Sequence, residues 1–155
     1  MSKKNALLSV VALLALGMTF TSCKDEENPT TMPTSTRLTA VLNGSSEKPT
    51  STTSTVTGTF TGDLNETTRV LSYTVTYSGP FSTSMTGGHI HRITSTTAMT
   101  GGIEIPFSNL ASPITGSATL ANQNRVDSLK NGFYYVNLHT VQYPAGEIRG
   151  DIKKQ

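Results

Sequence analysis

A strict two-residue alternation is the feature that most constrains the fold of this chain. Between positions 71 and 77, apolar residues occupy every second place and Ser or Thr fills the places between. Successive side chains of a β-strand point to opposite faces, so this pattern predicts a strand with one buried face and one hydrated face. The residues expected to face a core are Leu71, Tyr73, Val75 and Tyr77.

Similar short runs continue along the rest of the chain. They are rich in Thr, Val, Ile and Tyr, and Gly, Pro, Asn or Ser interrupts them at intervals of roughly ten residues. About eight short strands predict an all-β domain, a Greek-key-like β-sandwich or barrel. The candidate strands are 37–42, 55–61, 70–78, 88–94, 102–107, 114–120, 133–140 and 147–153.

One segment departs from the β pattern. In residues 122–130 the apolar Val126 and Leu129 are three apart, and Gly132 follows shortly afterwards. This spacing predicts one short helix that ends at a glycine. We expect the helix to cover an open end of the sandwich.

The first residues have the order of a secretion signal. Lys3 and Lys4 precede an apolar run from Ala6 to Leu16, and small and hydroxylated residues lead from there to Cys23. The run is too short to span a bilayer, which takes roughly 20 apolar residues. We therefore predict that residues 1–22 are a signal peptide that is removed on export.

Cys23 is the single cysteine, so it cannot form an internal disulfide. Its surroundings resemble a bacterial lipoprotein signal, with Ser22 as the small preceding residue and Phe20 in place of the usual leucine. The resemblance implies that Cys23 carries a lipid and anchors the chain to a membrane. The alternative is an ordinary signal peptide followed by an incidental thiol.

The segment after Cys23 predicts a tether. Residues 23–36 are polar and interrupted by proline, which favours a flexible linker before a domain at 37–155. Its first four residues, 24–27, resemble the acidic tag of lipoproteins exposed on the outer membrane of Gram-negative bacteria. The resemblance implies an outer-membrane, surface-exposed location, whereas a solvated tether or periplasmic display is the alternative.

The charge balance excludes one class of partner. Removal of residues 1–22 removes two lysines and leaves ten basic and ten acidic residues. No Lys/Arg cluster then remains to follow a phosphate backbone. We expect no binding to nucleic acid.

Sequence segments at fixed spacing resemble a known family. They are His-x-His at 89–91, Gly-Ser-Ala-Thr-Leu at 116–120, Tyr-Val-Asn-x-His-Thr at 135–140 and Pro-x-Gly-Glu-Ile-Arg-Gly at 144–150. Together they resemble the CHRD domain, a module first described in chordin and found in bacterial exported proteins. The departures are small: Gly88 stands where the family usually has alanine. The resemblance implies an extracellular β-sandwich without a settled biochemical activity.

The histidines are candidate metal ligands. His89 and His91 are two apart on a predicted strand, so both rings leave the same face, and Asn137 and His139 share a face in the same way. If the two strands are neighbours, three imidazoles converge, which suits copper or zinc. Glu147 could add a carboxylate or orient a ligand. The alternative is a polar network that only satisfies buried groups.

Three further polar residues are candidates for a supporting role around these histidines. Glu147 and Arg149 lie two apart in the last predicted strand, where an ion pair across strands or hydrogen bonds to the backbone is the default. Asn137 is expected to orient a ligand or to serve the fold.

No catalytic constellation is recognisable. Gly-x-Ser-x-Gly is absent, and three histidines are too few for the copper and zinc of a superoxide dismutase. We therefore predict a protein that is not an enzyme. The leading expectation is a binding or structural module of the cell envelope, with a protein or glycan partner or a second copy at its strand edges. The alternative is a copper- or zinc-binding protein with a redox-related role.

Overall fold

The structure is a computed structural model and describes residues 34–155. This part contains nine strands, a 3-10 turn at Gly44–Ser46 and one helix, α1, at Gln123–Lys130. The predicted signal peptide, Cys23 and most of the predicted linker lie outside the described residues. The strands are β1 Ser35–Asn43, β2 Thr57–Asn65, β3 Val70–Ser78, β4 Met85–Arg92, β5 Gly102–Pro106, β6 Ile114–Thr119, β7 Tyr134–Thr140, β8 Ile148–Asp151 and β9 Lys153–Lys154.

The strands form one antiparallel sheet that nearly closes into a barrel. Its order is β5-β4-β7-β8-β1-β2-β3-β6, and the short β9 pairs with β1. The two edge strands, β5 and β6, line opposite sides of a cleft of about 390 Å³. The prediction of an all-β, Greek-key-like sandwich or barrel with one short helix is confirmed.

The alternation in β3 has the predicted effect. Leu71 and Val75 are fully buried and Tyr73 is buried beside them, whereas Ser72 between them is exposed. Tyr77, near the end of the strand, is partly buried against the same core. The two-residue period of the sequence is therefore the period of burial in the sheet.

The helix α1 begins and ends as the sequence indicates. Asn122 precedes it, and its side chain accepts a hydrogen bond from the backbone N–H of Arg125. Val126 and Leu129 are fully buried in the core, and Gly132 has a φ of 78°, which favours glycine after a helix. Within residues 34–155 no helix is both long and apolar enough to cross a bilayer.

Several strand bounds differ from the prediction: β2 lies at Thr57–Asn65 instead of 55–61 and β4 at Met85–Arg92 instead of 88–94, and the first and last strands differ as well. The last predicted strand, 147–153, is divided into β8 and β9, because Ile152 turns its fully buried side chain into the core and bonds its N–H to the carbonyl of Tyr134. The first strand begins at Ser35, two residues before the expected domain start, because Thr36 is buried and its hydroxyl bonds to Glu66.

The alternation in β3 can be tested by substitution. We expect Leu71→Ala to lower the free energy of unfolding by about 2–5 kcal/mol, because it removes fully buried apolar volume. Ser72→Ala, one position along on the exposed face, should change it by less than about 0.5 kcal/mol. Urea titration of both variants measures the difference, and equal effects would contradict the assignment of faces.

Candidate metal centre

The histidines are carried by two neighbouring strands, β4 and β7. Their antiparallel register pairs His89 with Asn137, His91 with Tyr135, and Gly87 with His139. The residues between them point the other way: Ile90, Val136 and Leu138 are fully buried in the core. All three imidazoles therefore leave the outer face of the sheet.

The structure brings the three predicted imidazoles together. One ring nitrogen from each of His89, His91 and His139 lies within 4.8 Å of the other two. The ring centroid of His89 lies 5.1 Å from that of His139 and 5.4 Å from that of His91. The geometry places three nitrogen donors around one point on the outer face.

Backbone carbonyls fix two of the rings. Nδ1 of His91 lies 3.0 Å from the carbonyl oxygen of Gly101, and Nδ1 of His139 lies 3.1 Å from that of Pro144. A carbonyl oxygen only accepts, so each Nδ1 carries the hydrogen and each Nε2 keeps a lone pair. This is the arrangement that commonly orients metal-binding histidines.

The opposite nitrogens have no partner. Nε2 of His91, Nε2 of His139 and Nδ1 of His89 are buried and make no hydrogen bond with any group of residues 34–155. Buried polar atoms in folded proteins are nearly always paired, so an unpaired buried nitrogen on each of three neighbouring imidazoles requires an explanation. An ion held by all three would supply the missing partner.

The surroundings keep the imidazoles neutral. Burial lowers the pKa of His91 to about 4, and burial is also the largest cause of the lowered pKa values of His89 and His139. The charge of a neighbouring imidazole lowers the pKa of His89 further. Neutral imidazole is the form that coordinates a metal.

The structure places Glu147 away from the imidazoles. Its fully buried carboxylate accepts hydrogen bonds from the hydroxyls of Ser54, Ser82 and Thr140, and from the backbone N–H of Ser82. Burial acts to raise its pKa, but these hydrogen bonds lower it overall. Thr140 is the strand neighbour of His139 and faces the other side of β7. Glu147, which the sequence suggested as an extra ligand, therefore links the loops that contain Ser54 and Ser82 to the end of β7.

Arg149 is buried beside the cluster without contacting an imidazole. Its guanidinium pairs with Asp151 at 2.8 Å, and it also donates to the carbonyl of Met99 at 2.6 Å. Its Cζ lies 3.5 Å from the ring centroid of Tyr135. The sequence predicted either an ion pair across strands or hydrogen bonds to the backbone. Arg149 makes a hydrogen bond to the backbone, and its ion pair with Asp151 lies within β8.

Asn137 lies between the histidines and a residue that the sequence did not single out. Its amide donates weakly, at 3.4 Å, to the carboxylate of Glu47 and to the carbonyl of Ala145. Glu47 is 5% exposed, and burial raises its pKa to about 7 although Arg149 acts to lower it. Glu47 follows a Gly-Ser-Ser segment that is typical of a hydrated loop, so no sequence signal pointed to a buried carboxylate.

These features define a small antiparallel β-domain of nearly closed barrel form with a histidine cluster on its outer face. The chain belongs to the CHRD domain family, whose model matches residues 38–152. Searches of curated proteins and of solved structures found no match. The family assignment predicted from the motifs is thereby confirmed.

The buried Glu47 predicts a pH dependence of stability. Its pKa is raised in the folded chain, so the folded state holds its proton more tightly and Glu47 destabilises the fold progressively as pH rises from 4.5 to about 7. Glu47→Gln lacks this titration. We expect the free energy of unfolding of the variant, minus that of the wild type, to increase by about 2–3 kcal/mol between pH 4.5 and pH 8. Urea titrations across this range measure it, and a difference that is constant with pH would contradict the prediction.

Proposed function

We propose that this CHRD domain binds one copper or zinc ion through His89, His91 and His139. The observation that carries the proposal is the convergence of three imidazoles: one ring nitrogen of each lies within 4.8 Å of the other two, and each ring also has a buried nitrogen without a hydrogen-bond partner among residues 34–155. Metal–nitrogen bonds of about 2.0–2.1 Å require small shifts of the rings from these positions.

A purely structural network would leave a different pattern. In such a network both nitrogens of a buried imidazole find protein partners, because an unpaired buried acceptor costs about 1–3 kcal/mol. Here the Nδ1 atoms of His91 and His139 are satisfied while their Nε2 atoms are not. One nitrogen of each ring also lies within 4.8 Å of a nitrogen of the other two rings, which favours a shared ligand over independent packing defects.

The donor set indicates the class of ion. Three neutral imidazoles suit copper and zinc, whereas calcium and magnesium prefer oxygen ligands. His89 and His139 are only half buried, so a further coordination position would be open to water or another small ligand. A redox-related role would require copper, because zinc does not change its oxidation state.

The proposal includes display at the cell envelope. Lys3 and Lys4, the short apolar run and Cys23 support export and lipid anchoring, and the acidic residues 24–27 support the outer surface. A protein or glycan partner, pairing of strand edges with a second copy, and the absence of catalysis stay predictions. The proposed site gives this envelope module a specific ligand.

Ion binding can be measured directly. The full-length chain with Cys23→Ser, which removes the only thiol, is incubated with copper(II) or zinc, desalted and analysed for bound metal. We expect about one ion per chain. His89→Ala, His91→Ala and His139→Ala should each weaken binding by about tenfold or more, because each removes one ligand.

Gln142→Ala serves as the control, since this exposed residue follows β7 without belonging to the cluster. It should bind as the wild type does. Retention of far less than one ion by the parent chain, or undiminished binding after all three histidine substitutions, would overturn the proposal.

Lipid anchoring is tested separately. We expect the wild-type chain, expressed in a Gram-negative host, to incorporate labelled palmitate and to sediment with membranes. Cys23→Ser should lose both properties, because the acceptor thiol is gone. His139→Ala is the matched control and should be lipidated normally. Unchanged labelling of Cys23→Ser would refute lipidation at this residue.

A further inference from the structure

We infer that Tyr135 is a positioning residue of the proposed ion site, and that it fixes the orientation and the tautomer of His91. The inference rests on the proposed function. It is carried by two independent contacts through which the same side chain restrains one imidazole.

The first contact is between rings. Tyr135 and His91 are register partners on β7 and β4, and their rings are stacked with centroids 4.8 Å apart and planes 5° from parallel. Both residues are buried, at 3% and 8% exposure. The phenol therefore fixes the plane in which the imidazole lies, and with it the plane of the Nε2 lone pair.

The second contact runs through the backbone of Gly101. The hydroxyl of Tyr135 accepts a hydrogen bond from the N–H of Gly101 at 3.1 Å, and the carbonyl of the same residue accepts from Nδ1 of His91 at 3.0 Å. Tyr135, Gly101 and His91 thus form a closed ring of contacts. This ring holds the hydrogen on Nδ1 and directs Nε2 toward the other imidazoles.

The close approach of Gly101 depends on its lack of a side chain. A Cβ at this position would lie 2.0 Å from the carbonyl oxygen of Arg92, which follows His91 in the sequence. The segment is further fixed by Met99, whose carbonyl accepts the hydrogen bond from Arg149. The carbonyl that orients His91 is therefore supplied by a loop that packs directly on β4.

Arg149 restrains the other face of Tyr135. In the sheet order β7 lies between β4 and β8, so His91 and Arg149 approach the phenol ring from opposite sides. The guanidinium is 3.5 Å from the ring centroid, at a distance typical of a cation–π contact. A ring held on both faces and at its hydroxyl has little freedom to tilt.

The other imidazoles do not depend on this tyrosine. Nδ1 of His139 is fixed by Pro144, which belongs to the turn between β7 and β8. The nearest aromatic neighbours of the His89 ring are the two other imidazoles. Substitution of Tyr135 should therefore act on the ion site through His91 alone.

The test uses graded substitutions in the full-length Cys23→Ser chain. Tyr135→Phe removes the hydroxyl and keeps the stacked ring, whereas Tyr135→Leu removes both. Tyr134→Phe is the matched control, because it also removes a buried tyrosine hydroxyl but its side chain leaves the opposite face of β7. Nitrogen-15 NMR of the metal-free protein reports the tautomer of each histidine, and competition titration with zinc reports the dissociation constant.

We expect His91 to be the Nδ1–H tautomer in the wild type and in Tyr134→Phe. In Tyr135→Phe a fraction of His91 should convert to the Nε2–H tautomer, while His139 stays unchanged, and the zinc dissociation constant should rise by about tenfold or more. Tyr135→Leu should raise it further. A folded Tyr135→Phe with the wild-type tautomer and dissociation constant would overturn this inference alone. A Cys23→Ser parent chain that binds neither copper nor zinc would overturn the proposed function and the inference with it.

Discussion

The two-residue period of a β-strand is the constraint on which the rest of the structure depends. In β4 and β7 the same period that buries Ile90, Val136 and Leu138 in the core turns His89, His91 and His139 outward. The core residues and the histidine cluster therefore lie on opposite faces of the same pair of strands. Because the apolar face fixes the register of the pair, packing inside the barrel determines which imidazoles meet outside it.

The outer face of this pair carries an unusual concentration of unsatisfied polarity. Among the described residues, buried polar atoms without a partner include one ring nitrogen of each histidine, an oxygen of Glu47 and the amide oxygen of Asn137. Loops cover the face and supply the carbonyls of Gly101 and Pro144 to the rings. A face that is covered, polar and incompletely paired differs from the hydrated outer face of β3, where Ser72 is simply exposed. This difference within one sheet supports the proposed ion site.

Much of the fold was predictable because it depends on local patterns. The alternation of β3, the approximate strand positions and the helix that ends before Gly132 follow from the spacing of residues close in sequence. The shared face of His89 and His91, and that of Asn137 and His139, followed from the same spacing. The resemblance to CHRD domains rested on motifs at fixed distances, and the family model matches the same region.

What could not be predicted depends on contacts between distant segments. The pairing of His91 with Tyr135 needs the register of β4 on β7, which a bulge between Met85 and Gly87 shifts. The burial of Glu47 arises only when the loop after β1 closes on β7 and β8, and a carboxylate beside glycine and serines carries no sign of it. Glu147 precedes β8 instead of lying within it, so the strand period did not govern its direction.

The gap between β5 and β6 has a consequence for how the domain moves. Because β5 bonds to β4 on one side and meets β6 only across a cleft, its outer amide and carbonyl groups have no strand of residues 34–155 to pair with. Strands held on a single side open at lower free energy than interior ones. Local opening of the barrel should therefore start at this seam, and β4, which carries His89 and His91, is the first strand that it reaches.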